Sequence, residues 1–159
     1  MASLRVAIAG LGAIGLQAAR AVDAGKISGI TLAAVSARDA EKARRTFAAF
    51  RTLPPILPLA DLADAADVVI ECVPAAHFRD VAEPAVRRGR IFMPLSVGAL
   101  LEHFDLVDLA LQTGARILVP SGAILGLDAI RAVGEGKVHS VRLVTRKPPA
   151  SLIGAPFLI

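Results

Sequence analysis

The chain has 159 residues, 55% of them hydrophobic, which suits one domain with a real core and excludes disorder. Its apolar residues are mostly Ala, Val, Leu and Ile, with no Trp or Tyr, so an aromatic stacking platform for single-stranded nucleic acid is excluded and a buried parallel sheet under Ala-rich helices is favoured. The formal net charge is +4, and the Arg clusters (Arg44-Arg45, and Arg87-Arg88 with Arg90) fall late in predicted helices, where cations complement the dipole; they read as solvated helix ends and not as a nucleic-acid footprint.

Strand and helix patterns then alternate down the chain, which argues for βαβ units and a parallel sheet. The first strand runs from Leu4 to Ala9 and feeds into Gly10-Leu11-Gly12-Ala13-Ile14-Gly15. This is G-x-G-x-x-G placed between an apolar strand and an apolar-periodic helix, Ile14 to Ala24. Gly10 permits a tight turn, Gly12 lets a pyrophosphate approach the backbone, and Gly15 lets the helix pack close to the strand. The helix N-terminus offers Ala13, Ile14 and their neighbours as free N–H donors to phosphate. Glycines also occur in any tight turn, but here the flanking strand and helix are both legible, and the placement predicts a dinucleotide site.

The second strand, Ile30 to Val35, ends at Ser36-Ala37-Arg38, and Asp39 is positioned to cap a helix over Ala40 to Phe50. An NAD-selective corner carries Asp or Glu here to accept from the ribose hydroxyls. Ser36 and Arg38 instead suit a 2′-phosphate, so NADP is favoured and NAD is not excluded. Asp39 could still serve a ribose, and a merely solvated Arg38 is the plain alternative. Leu53 to Leu59 carries Pro54, Pro55 and Pro58 and reads as a loop or an edge strand.

A helical turn around Asp61 to Ala65 leads to a strand over Asp67 to Val73, which Pro74 breaks. Ligands of open α/β sheets lie at the carboxyl ends of strands, so Val73 and Pro74 are candidates to wall the cofactor's ribose. Glu71 is either a functional carboxylate or one held by a neighbouring Arg. Cys72 reads as a small core residue, not a nucleophile. Then come a helix over His77 to Arg88, kinked or started late by Pro84, a strand over Ile91 to Leu95, and a helix over Leu100 to Gln112. Arg116 to Val119 is a further strand, Pro120 to Ala123 a loop, and Gly126 to Glu135 a helix. His77 and His103 lack ligand spacing, so no metal site is predicted. Ser121 lies in no nucleophile elbow, and no triad is evident.

Val138 to Arg146 alternates with a two-residue period, which suggests a strand entering a second, antiparallel sheet. The expected division is a nucleotide-binding domain over 1–136 and the start of a second, α+β domain over 137–159. The apolar end, Ala155 to Ile159, suggests a truncated sequence or an end buried by a partner chain, and the unpaired strand suggests a homo-oligomer. One cysteine, Cys72, excludes an internal disulfide and fits a reducing cytoplasm; no uncharged apolar run reaches the roughly 18 residues of a membrane span.

Four segments together carry a family resemblance. Gly10 to Gly15, the Ser96-Val97-Gly98-Ala99-Leu100 corner, the run Val119 to Ile130 with its Pro-Ser-Gly-Ala-Ile and Gly-Leu-Asp-Ala parts, and Thr145-Arg146-Lys147-Pro148-Pro149 resemble the L-aspartate dehydrogenase family. The resemblance spans essentially the whole chain, and the second and third of these runs beyond the glycine fingerprint are its specific parts. It implies a doubly wound, Rossmann-type parallel sheet and NAD(P)-dependent oxidative deamination of L-aspartate to iminoaspartate, then oxaloacetate and ammonia, with iminoaspartate able to feed NAD biosynthesis. It places Ala123 at the nicotinamide end of the cofactor, with Ser121, Gly122 and Ile124 bordering the substrate, L-aspartate. The family's catalytic histidine lies downstream of the Lys-Pro-Pro segment, beyond Ile159, so the catalytic residue of this chain is unknown. The rival readings are another two-domain NAD(P)-dependent dehydrogenase or reductase, and a non-catalytic NAD(P)-binding module.

Overall fold

A computed structural model describes residues 3–121, 127–142, 144, 146 and 148. The chain divides into two compact units, 1–120 and 121–159. The division falls earlier than the 136/137 boundary read from the sequence.

The first unit is a five-stranded sheet, all parallel, in the order β2-β1-β3-β4-β5. The strands are β1 (Leu4–Ala9), β2 (Ile30–Ser36), β3 (Val68–Glu71), β4 (Ile91–Pro94) and β5 (Arg116–Ile117). Between them run α1 (Ala13–Asp23), α2 (Ala40–Phe47), α3 (Leu62–Ala65), α4 (Phe78–Arg87), α5 (Val97–Glu102) and α6 (Asp105–Thr113). The alternation within β1 sorts the helices onto two faces. Val6 and Ile8 pack with Ala19 of α1 and with Ala43 and Phe47 of α2. Ala7 and Ala9 pack with α3, α4, α5 and α6 around Phe78 and Phe92. This is the doubly wound architecture expected, with apolar residues on both faces of the central strands. The rings of Phe78 and Phe92 meet edge to face at 5.6 Å, and truncating either to Ala should cost about 3–5 kcal/mol.

Asp39 caps α2 as expected, its Oδ1 accepting from the Lys42 N–H at 2.9 Å. That helix stops at Phe47, where backbone bonds tighten to a three-residue spacing, Ala48 to Arg45 and Phe50 to Phe47. Pro84 lies inside α4 and does not start it. The proline-rich stretch is an edge: Val35 donates to the Pro55 carbonyl and Leu57 donates to the Val35 carbonyl, so Ile56 bridges to the free side of β2.

Three sequence expectations change. The helix read over Leu100 to Gln112 is two helices, broken at His103 and Phe104. The break follows from packing on α4, because the His103 ring stacks on Phe78 at 5.7 Å while Arg79 holds Asp105 at 2.8 Å. The strand read over Arg116 to Val119 is only two residues long. Ile91 and Leu95 donate toward β3, so the alternate residues Phe92 and Pro94 face β5, and Pro94 has no N–H with which to continue that ladder. The alternating run Val138 to Arg146 carries no strand at its described residues, 138–142, 144 and 146. A strand is completed by a neighbour's ladder, and among the described residues none pairs with this run. The second unit contains α7 (Leu127–Gly134), where the sequence predicts a helix.

Candidate dinucleotide site

The turn from β1 into α1 is shaped by its glycines, each for a different reason. Gly10 has φ +92°, and a Cβ there would meet the Cys72 carbonyl oxygen at 2.7 Å. A Cβ on Gly15 would lie 2.0 Å from the Gly10 carbonyl oxygen and 3.2 Å from the Cys72 Cβ. These two glycines are therefore demanded by the fold. Gly12, the residue before α1, is different: a Cβ there would meet nothing within 4 Å. The first turn of α1 holds no acidic residue, so the dipole and the free N–H groups of Ala13, Ile14 and Gly15 present an uncompensated positive end. Open space above Gly12 and unpaired donors beside it fit a diphosphate.

Across from this loop stand the carboxyl ends of β3 and β4. Gly12, Ala13 and Ile14 on one side and Val73, Leu95 and Ser96 on the other enclose a cleft of about 280 Å³ that also touches Cys72. Pro74 follows at the entry to a short 3-10 turn over Ala75–His77. Beneath this wall lies Glu71, which is fully buried. Its carboxylate accepts from the Val73 N–H at 2.8 Å, from the Ser96 N–H at 2.9 Å and from the Ser96 hydroxyl at 3.1 Å. The alternative in which an Arg holds Glu71 is thus corrected: main-chain donors and one hydroxyl satisfy it, and among the described residues no cation pairs with it. Burial, followed by the charge of Glu71, pushes the Cys72 thiol up to about 11, so it stays protonated at neutral pH, as a core residue should.

The third corner is the end of β2. Ser36 is buried, and its carbonyl accepts from the Gly10 N–H at 2.9 Å, which ties this corner to the glycine loop. Arg38 is exposed, and among the described residues no carboxylate pairs with it. Asp39 is committed to its helix cap through one oxygen. Because β2 and β3 flank β1, a ligand lying over the glycine loop can reach Ser36 and Arg38 with one end and Val73 and Ser96 with the other.

Gly122, Ala123 and Ile124 lie outside the described residues, and Ser121 is exposed at the start of the second unit. His77 pairs with Asp80 at 3.1 Å, His103 stacks on Phe78, and His139 is exposed in the second unit. Among the described residues no cluster of His, Cys, Asp and Glu could hold a metal ion. Several Arg side chains are engaged locally: Arg44 with Glu41, Arg87 with Glu83, and Arg88 with Asp64. A second depression, of about 380 Å³, lies by Arg44, Phe47 and Leu53 and offers no acid or base beyond the guanidinium. The sequence reading did not assign Ser96 or Leu95 to the site. The available signal was the position of Glu71, a charged residue ending an otherwise apolar strand.

Residues 10–120 match the family described as "Homoserine dehydrogenase, NAD binding domain". The chain belongs to this family. The family's description supports NAD or NADP as the cofactor. Among individual proteins, the chain is 51% identical over 156 residues to an L-aspartate dehydrogenase of Bradyrhizobium diazoefficiens, a match covering 98% of this chain and 55% of that one. It is 44% identical to L-aspartate dehydrogenase 3 of Bordetella bronchiseptica, covering 98% and 57%, and 40% identical to an L-aspartate dehydrogenase of Methanocella arvoryzae, covering 98% and 58%. The chain thus spans a little over half the length of these curated relatives. Among solved structures, UDP-N-acetylglucosamine 3-dehydrogenase from Acidithiobacillus ferrooxidans superposes with a TM-score of 0.66 at 22% identity, over 86% of this chain and 45% of that one. The apo scyllo-inositol dehydrogenase of Lactobacillus casei gives 0.65 at 16% identity, over 87% and 43%. At such identities the likeness concerns the Rossmann-type fold alone.

Proposed function

We propose that this chain is the cofactor-binding part of an NAD(P)-dependent L-aspartate dehydrogenase. The observation that carries the proposal is the 51% identity to one such enzyme over 98% of the chain. The cleft supports it chemically. When bound, NAD or NADP supplies a hydride acceptor for oxidation of an amine. The N–H groups at the start of α1 hold the diphosphate over Gly12, and Val73 and Pro74 wall the ribose beyond it. Ser36 and Arg38 receive the adenosine end, where the unpaired guanidinium favours a 2′-phosphate. The likeness to the L-aspartate dehydrogenases supports assigning Ser121, Gly122, Ala123 and Ile124 roles toward the nicotinamide and L-aspartate.

Within the same proposal the cofactor-binding domain runs through α7 to residue 136, and 137–159 open a substrate and dimerisation domain. The protein works in the reducing cytoplasm, in keeping with its one cysteine, and its product iminoaspartate feeds NAD biosynthesis. Exposed Val138, Val141 and Val144 in the second unit support a homo-oligomer. Local pairing of the Arg clusters supports a protein without a nucleic-acid partner, and among the described residues no helix is long and apolar enough to cross a membrane.

Calorimetry of the purified chain with NADP and NAD, and an absorbance assay for L-aspartate-dependent reduction, test the reading. The expected result is cofactor binding without turnover by these residues alone, since neither His77 nor His103 lines the cleft. Absence of binding overturns the proposal. Steady turnover that is lost on mutating His77, His103 or His139 would relocate the active site.

A further inference from the structure

The buried carboxylate of Glu71 has no part in the binding scheme above, yet it costs the fold the desolvation of a charge. An apolar side chain would avoid that cost but leave the Val73 and Ser96 N–H groups without their acceptor. What Glu71 does is join three groups that belong to two strand ends. Val73 N–H and Ser96 N–H, 23 residues apart in sequence, both donate to it, and the Ser96 hydroxyl sits 3.1 Å from its Oε1 and 3.2 Å from the Val73 carbonyl. Val73 and Ser96 are also the residues that face Gly12 to Ile14 across the cleft.

We propose that Glu71 is a positioning residue of the cofactor site: its carboxylate clamps the β3 and β4 ends together and sets where their wall stands opposite the glycine loop. This rests on the reading of the cleft as an NAD(P) site. The N–H groups of Val73 and Ser96 can only donate, and each finds one of the two carboxyl oxygens as its acceptor. A glutamine must turn its NH₂ toward one N–H or the other, so one donor loses its partner whichever way the amide lies. The wall then shifts at Val73 or at Ser96. The strand order makes the consequence local. On that reading, a cofactor whose adenosine end meets Ser36 and Arg38 at the β2 corner would turn its other end toward β3 and β4, across β1. Glu71 therefore governs binding of the whole dinucleotide and leaves binding of its adenosine half alone.

The test compares two ligands on one protein. Wild type, Glu71→Gln and Ser96→Ala are titrated by calorimetry with NADP and with 2′,5′-ADP, which lacks the nicotinamide half; circular dichroism and a urea midpoint are recorded for each. Glu71→Gln is expected to bind NADP on the order of tenfold more weakly, the scale of one unpaired buried donor, with 2′,5′-ADP affinity unchanged. Ser96→Ala, which keeps its N–H and loses only the hydroxyl, is expected to show the same split at roughly threefold. If Glu71→Gln does not fold, the Ser96→Ala split decides the matter. Equal losses for both ligands would show a general loss of structure and overturn the proposal, as would no loss for either. A wild-type chain that binds neither ligand would instead overturn the reading of the cleft itself.

Discussion

The two walls of the cleft are built on opposite principles. The glycine loop works by leaving side chains out: Gly10 and Gly15 are close to backbone atoms that a Cβ would strike, and Gly12 leaves open space. The β3–β4 wall works by putting a charge in, with Glu71 fully buried and bound to Val73 and Ser96. The first wall depends on small residues, because a Cβ at Gly10 or Gly15 would strike neighbouring backbone. The second depends on hydrogen bonds that join the two strand ends through Glu71. One wall is thus sensitive to added volume and the other to altered donor and acceptor chemistry.

Volume should break the first wall in two distinguishable ways. Gly12→Val is expected to fold like wild type, since its Cβ position is empty, and to lose NADP binding beyond calorimetric detection. A folded variant with unchanged affinity would show that no phosphate lies over Gly12. Gly15→Ala should do the reverse, lowering stability by about 3 kcal/mol in urea unfolding because its Cβ would sit 2.0 Å from a carbonyl oxygen. A Gly15→Ala midpoint equal to wild type would mean that α1 can move off the strand.

Chemistry away from both walls sharpens the contrast. Arg38→Ala, at the β2 corner, is expected to weaken NADP by about 2 kcal/mol more than NAD, the scale of a charge-assisted hydrogen bond. Equal losses would assign Arg38 to the adenine ring, and no loss would make it a solvated side chain.

The smallest effect is expected at the opposite end of the sheet, where the Arg5 guanidinium and then the Arg5 N–H hold the Asp67 carboxyl down to about 2, against an ordinary 3.8. A carboxyl lowered in the folded state stabilises the fold above its unfolded value, and that contribution disappears as pH falls from about 4 to about 2. Asp67→Asn should therefore unfold at a slightly higher pH on acid titration and bind NADP like wild type. An altered NADP affinity in this variant would show that the two ends of the sheet are coupled.

The same contrast explains what could be read in the sequence. Gly10 and Gly15 were legible because the backbone around the turn leaves no room for a Cβ, Gly12 through its place in the G-x-G-x-x-G spacing, and Asp39 because a cap has a fixed offset from its helix. The parallel sheet, though not its strand order, was legible from the alternation of strand and helix patterns. The Glu71 clamp was hidden, because its partners are main-chain N–H groups and a serine 25 residues on, which carry no local pattern. The break at His103 was hidden for a similar reason: no Gly or Pro marks it, and it depends on Phe78 and Arg79 of another helix. The short β5 was decided by Pro94, a residue in the neighbouring strand.

The segment alongside β2 lines the free border of the sheet. Pro55 and Leu57 complete the Val35 hydrogen bonds, while Pro54, Pro55 and Pro58 give the flanking strip almost no amide hydrogens to offer outward. A strand arriving from another molecule would find few donors with which to start a ladder. Pairing through this border is thereby disfavoured without a helix to cover it. Replacing those prolines would restore amide hydrogens along the margin and give an arriving strand donors with which to pair.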